Sequence, residues 1–137
     1  MPRKNQILTA SNIRYLLMIR ELSGKQADIQ SVDIANALGI TKPSVHTMLK
    51  ILSDMKLVIK AKYGTVSLTA EGQKTAELYS EYFSIVQSCL TSELKLTQKQ
   101  SANVTCHLLA ELPIDEIATM CKQISKSKLE GNRTNVS

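Results

Sequence analysis

The chain has 137 residues, 43% of them hydrophobic, with a formal net charge of +5 and three cysteines. No apolar run approaches the length needed to cross a bilayer, and no apolar segment with a small-residue cleavage site follows the polar start, so the expectation is a cytoplasmic globular protein. Cys89, Cys106 and Cys121 are odd in number and lie in apolar helical patterns, which suits buried reduced thiols rather than a disulfide framework.

The charge is unevenly placed. Residues 1–72 carry ten Lys/Arg against five Asp/Glu, and residues 73–137 carry seven of each. All the excess lies in the first half, which points to a polyanion partner for that half and another task for the second. No helical pattern combines a Lys-rich face with exposed aromatics, so a membrane surface is not the expected partner.

In chain order, Arg3 and Lys4 fall in a polar arm. The stretch NIRYLLMIREL places Ile13, Leu16, Leu17 and Ile19 at helical spacing, with Ser11 as cap and Gly24 as stop. A polar loop runs to Gln30. Ser31 then caps a short helix carrying Val32, Ile34, Ala35 and Leu38, and Gly39 follows where a helix end favours a residue tolerant of positive φ. Thr41 caps a further helix with Pro43 in its first turn, and Val45, Met48, Leu49 and Leu52 form its buried stripe. Two helices joined by one tight turn read as a helix-turn-helix. The second helix leaves Thr41, Lys42, Ser44, His46, Thr47 and Lys50 off the stripe. These are short hydrogen-bonding groups and cations with no carboxylate among them, whereas an unpartnered solvated helix usually mixes Glu with Lys.

Leu57 to Lys60 is β-prone, Lys62, Tyr63 and Gly64 make a turn, and Thr65 to Leu68 alternates like a strand. This hairpin is a wing, whose Lys60, Lys62 and Tyr63 suit phosphate contacts; Lys at the tip also serves as ordinary edge protection. Thr69 caps a long helix from Ala70 to about Leu90, with a seam of Ala76, Tyr79, Phe83, Val86 and Leu90. Thr97 opens another helix carrying Val104, His107, Leu108 and Leu112. Pro113 stops it and starts a last one, with Ile114, Ile117, Cys121 and Ile124 on one face. From Ser125 the composition is polar and reads as a disordered tail. The expected architecture is therefore mainly α with a small β-hairpin: a winged helix-turn-helix domain (1–72), a linking helix with a helical dimerisation domain (73–124), and a tail (125–137). Glycine loops for phosphate, nucleophile elbows and metal-spaced histidine pairs do not occur, so an enzyme is not expected.

LTASNIRYLLMIREL, SVDIANALGITKPSVHTMLKILSDMKLV, the wing KYGTVSLTAEG and CHLLAELPIDEI together resemble the diphtheria toxin repressor and manganese repressor (DtxR/MntR) family over roughly residues 9–122. The resemblance implies a homodimeric regulator that binds double-stranded DNA and pairs through its C-terminal helices. It places the recognition positions on Thr41, Pro43, Ser44, His46 and Thr47. It also implies a site for a divalent metal such as manganese, iron or zinc, whose ligand positions fall here on Arg14, Leu17, Phe83, Asn103, Cys106 and His107. Of these, only Cys106 and His107 are metal-binding types, too few for a site, so no metal is expected to be required. Cys106 also reads as a small buried hydrophobe or a redox sensor, and His107 as a core or interface histidine. The function classes left open are a transcriptional regulator, one sensing a remodelled metal, thiol state or small effector through the second domain, and a winged-helix protein-interaction module.

Overall fold

In the computed structural model, residues 7–61 and 63–134 are described, the side chains of 129–134 excepted. Six helices and three short strands follow in the order α1 (Ala10–Ser23), β1 (Ile29–Gln30), α2 (Ser31–Leu38), α3 (Lys42–Asp54), β2 (Val58–Lys60), β3 (Thr65–Leu68), α4 (Ala70–Glu93), α5 (Gln98–Glu111) and α6 (Ile114–Thr134). The chain divides into two compact units, Ser11–Leu78 and Tyr79–Ser137 with Met1–Ala10, so the division falls inside α4. None of the described helices is long and apolar enough to cross a membrane.

The first unit is built by α1 to β3 and the start of α4. Ile13, Leu16 and Ile19 from α1, Ile34 from α2, and Val45, Leu49 and Leu52 from α3 are almost wholly buried, as their helical spacing requires. The sheet has three antiparallel strands in the order β1-β3-β2, with Ile29 opposite Val66 and Ile59 opposite Ser67. The hairpin expected from sequence is thus widened by a third strand. β1 is only two residues long, and its extended form comes from pairing with β3 rather than from any local pattern.

Helix ends follow local chemistry. Gly39 closes α2 at φ 67°, a conformation that costs a glycine nothing. At the start of α2, Gln30 rather than Ser31 is the cap residue, and its backbone N–H donates to the Asp33 carboxylate at 2.8 Å. Ser31 lies inside the helix, and its buried hydroxyl has no hydrogen-bond partner among the described residues. Thr41 caps α3 by accepting from the Ser44 N–H at 3.3 Å. α3 ends at Met55, after which Lys56 adopts φ 66° and the Leu57 N–H reaches back to the Leu52 carbonyl at 3.0 Å.

The corner from the wing into α4 is tightly stitched. Thr69 donates its hydroxyl to the Lys56 carbonyl at 2.7 Å and accepts from the Gly72 N–H at 2.9 Å. Its own N–H donates to the Leu57 carbonyl at 3.0 Å. Gly72 is buried against that same carbonyl, so close that a Cβ there would lie 1.9 Å from the oxygen.

In the second unit, Val86, Leu109, Ile117 and Cys121 are buried. Thr97 and Gln100 form a reciprocal cap at the start of α5, with bonds of 3.0 and 3.1 Å. The face of α5 that is buried carries Ser101, Thr105, Cys106 and Leu109. This corrects the expected stripe: Val104 and His107 are exposed, because small hydroxylated residues occupy the inward positions at i, i+4 spacing. Ser101 is satisfied there by donating to the Gln98 carbonyl and accepting from the Gln87 amide. The expected tail is also corrected: α6 runs on through the polar stretch after Ser125 to Thr134.

Candidate nucleic-acid interface

The site is assembled on α3 and the wing. One stripe of α3, Val45, Leu49 and Leu52, is sealed in the core, and the opposite side is open. Thr41, Lys42, Pro43, Ser44, His46, Thr47 and Lys50 are all exposed. The only acidic residue on α3 is Asp54, at its far end, so the open face carries no carboxylate over its first three turns. Behind it, the buried Asn12 of α1 donates its amide to the Met48 sulfur at 3.1 Å, which ties α3 to the scaffold at mid-helix.

The polar groups on this face are not equivalent. The Thr41 hydroxyl is occupied twice, accepting from the Ser44 N–H and donating to Ser44 Oγ at 2.9 Å, so it serves the helix start. Ser44 Oγ keeps its proton available. The Thr47 hydroxyl donates to the Pro43 carbonyl at 3.0 Å, leaving its lone pairs and methyl outward. Pro43 sits in the first turn, where its missing N–H costs no hydrogen bond.

The wing adds Lys60 at the end of β2 and Tyr63 in the turn, which is 84% exposed. Gly64 makes the turn possible at φ 84°, with its N–H donating to the Ala61 carbonyl at 3.0 Å. Lys62 lies outside the described residues, as do Arg3 and Lys4. Lys60 Nζ approaches His46 Nδ1 to 2.7 Å, a contact between the wing and α3 that no spacing in the sequence announces.

The positions that the family resemblance gives to metal ligands are a poor donor set. Leu17 and Phe83 offer only hydrocarbon, and Arg14 carries a fixed positive charge. Cys106 is buried while its neighbour His107 is exposed, so the two side chains face different surroundings. His107 is therefore not a core histidine, one of the two places its sequence position suggested, the other being an interface. Among the described residues, no group of three or more His, Cys, Asp or Glu side chains could hold a metal ion. These residues do not fit a divalent cation. Cys121 is buried too, and burial pushes its thiol above the ordinary value.

A three-helix scaffold that seals one stripe of its third helix, opens a carboxylate-free face, and flanks it with a strand-turn-strand defines a winged helix-turn-helix. Residues 7–66 match the family model described as the iron dependent repressor, N-terminal DNA binding domain. This unit is therefore similar to the DNA-binding domain of the DtxR/MntR type of winged-helix proteins. It is 37% identical over 76 residues to the transcriptional regulator MntR of Escherichia coli, a match covering 56% of this chain and 49% of that protein. The MntR of Salmonella typhi is 33% identical over the same length. The chain thus spans about half the length of the curated relatives it matches. Among solved structures, the manganese regulator SloR superposes with a TM-score of 0.64 at 25% identity, covering 81% of this chain and 53% of that one. The hypothetical protein SSo2273 from Sulfolobus solfataricus gives 0.62 at 19% identity over 87% of this chain and 91% of that one, a likeness of fold alone.

Proposed function

We propose that this protein is a sequence-specific, DNA-binding transcriptional regulator, acting as a repressor on a pseudo-palindromic operator. The observation that carries the reading is the exposed face of α3, where every position from Thr41 to Thr47 except Val45 is open and none is acidic. Ser44, His46 and Thr47 reach base edges in the major groove, while Lys42, Lys50, Lys60, Lys62 and Tyr63 contact phosphates. Thr41 and Pro43 set the start of the helix. The matched family model and the MntR relatives support the same reading.

The regulator works as a homodimer paired through its C-terminal helices, with two recognition helices entering successive major grooves about 34 Å apart. It does not require a metal. SloR is described as a manganese regulator, but in this chain four of the six ligand positions implied by the resemblance, Arg14, Leu17, Phe83 and Asn103, are types that do not bind transition metals.

The test is fluorescence anisotropy on genomic fragments, titrated with salt and with chelator. Tight binding to a subset of fragments is expected, weakening steeply with salt and unchanged by chelator. Lys50→Ala is expected to weaken binding to every sequence and to flatten the salt slope. Binding that chelator removes and manganese, iron or zinc restores would refute metal independence. Equal, weak affinity for all fragments would refute sequence-specific regulation.

A further inference from the structure

The contact between Lys60 and His46 joins two elements that are fourteen residues apart, and its chemistry is one-sided. An ammonium has three N–H donors and no lone pair, so at 2.7 Å it can only donate to His46 Nδ1. Nδ1 must then be unprotonated, which leaves the proton of the neutral ring on Nε2. The ring is also held against a half-turn, because the other orientation would set a C–H against the ammonium. β2 packs on α3, and Val58, two residues before Lys60 on that strand, is buried, so the backbone that carries Lys60 is held against the helix. His46 itself is exposed, one residue beyond the buried Val45.

We propose that Lys60 acts as a positioning residue that holds His46 as a fixed hydrogen-bond donor, and that this donor selects guanine in the operator. The inference rests on the reading of α3 as a DNA-reading helix and adds what one position of it reads. A lone N–H needs an acceptor on the base edge. Guanine presents two adjacent acceptors in the major groove, O6 and N7; adenine flanks its N7 with an amino donor, thymine sets its single acceptor O4 beside a methyl group, and cytosine offers a donor alone. Lys60 keeps two further N–H groups for a neighbouring phosphate. Wing and recognition helix thus share one specificity element rather than dividing phosphates and bases between them.

The test is selection from randomised duplex DNA with the full chain, alongside the variants Lys60→Met and His46→Asn. The wild-type protein is expected to favour guanine about tenfold at one position of each half-site. Lys60→Met, which keeps the length of the side chain but cannot donate, is expected to reduce that preference to about twofold and to leave the other positions unchanged. His46→Asn is expected to move the preference to adenine, which an amide reads through N6 and N7. If Lys60→Met lowers affinity while every base preference stays as it was, Lys60 is a phosphate contact only and the proposal falls. Ring-nitrogen NMR of the free protein, with the imidazole neutral, gives a readout independent of DNA: a proton on Nε2 is expected, and a proton on Nδ1 overturns the proposal. A wild-type chain that enriches no sequence would overturn both this inference and the regulator reading, whereas the two preceding outcomes leave the regulator reading intact.

Discussion

Replacing Gly72 by alanine should unfold the wing corner even though alanine is the better helix former. A Cβ at this position would stand 1.9 Å from the Leu57 carbonyl oxygen and 2.9 Å from its carbon, both of them backbone atoms that no rotamer change can move aside. Restoring ordinary contact at about 3.4 Å requires α4 and the start of β2 to separate by about 1.5 Å. That movement breaks the Thr69 N–H bond to the same carbonyl and strains the Thr69 hydroxyl between Lys56 and Gly72. Overpacking against a fixed backbone costs about 1–3 kcal/mol, and the lost hydrogen bond about 1 kcal/mol. The gain in helix propensity returns only about 1 kcal/mol. The net expectation is a loss of about 2 kcal/mol, or about 10 °C in melting temperature for a unit of this size. Urea unfolding followed by circular dichroism measures it. A Gly72→Ala variant as stable as the parent, or more so, would show that propensity outweighs the clash and that the corner yields easily.

Gly39 has φ 67°, but a Cβ there would meet nothing within 4 Å, so Gly39→Ala should cost only the backbone strain, about 1 kcal/mol, in the same urea assay; a loss of several times that would contradict the open surroundings. Lys56 is exposed at φ 66°, so Lys56→Gly should raise stability by about 0.5–1 kcal/mol; an unchanged or lower urea midpoint would contradict the strain argument. Burial raises the Cys121 thiol and the Tyr79 and Tyr82 phenols above their ordinary values. Raised folded values mean that the neutral forms are favoured by folding, so this stability is fully present below the unfolded values and is lost as pH rises through the folded ones. Denaturation midpoints should hold steady to about pH 8.5 and fall above it. Cys121→Ala should flatten the onset of that fall, and an identical profile would refute the assignment to the thiol.

The helix-turn-helix is legible in the sequence because its signals are local: Thr41 before Pro43, Gly39 after Leu38, and apolar residues at helical spacing. Elements whose form depends on distant partners are not. The two residues of β1 look like loop until Val66 and Thr65 lie beside them. α5 reads a step out of phase because its inward face uses Ser101 and Thr105, whose hydroxyls mimic a solvated surface in any scale of polarity. The polar end of α6 has the composition of a tail but continues as helix to Thr134. At the interface, the outward positions of α3 follow from its stripe, whereas the pairing of His46 with Lys60 depends on how the wing folds back. Gly72 leaves a trace: a threonine cap three residues before a glycine in a helix's first turn hints at a close approach.

Gln30 belongs to two structures at once. Its backbone N–H bonds to Asp33 at the entry to α2, its strand pairs with Thr65, and its side chain reaches the Thr65 hydroxyl at 3.4 Å beside Gly64. The turn of the wing and the first turn of α2, which leads through Gly39 into α3, are therefore joined through one residue. A change at Gln30 would thus loosen the edge of the sheet and the entry to the helix together.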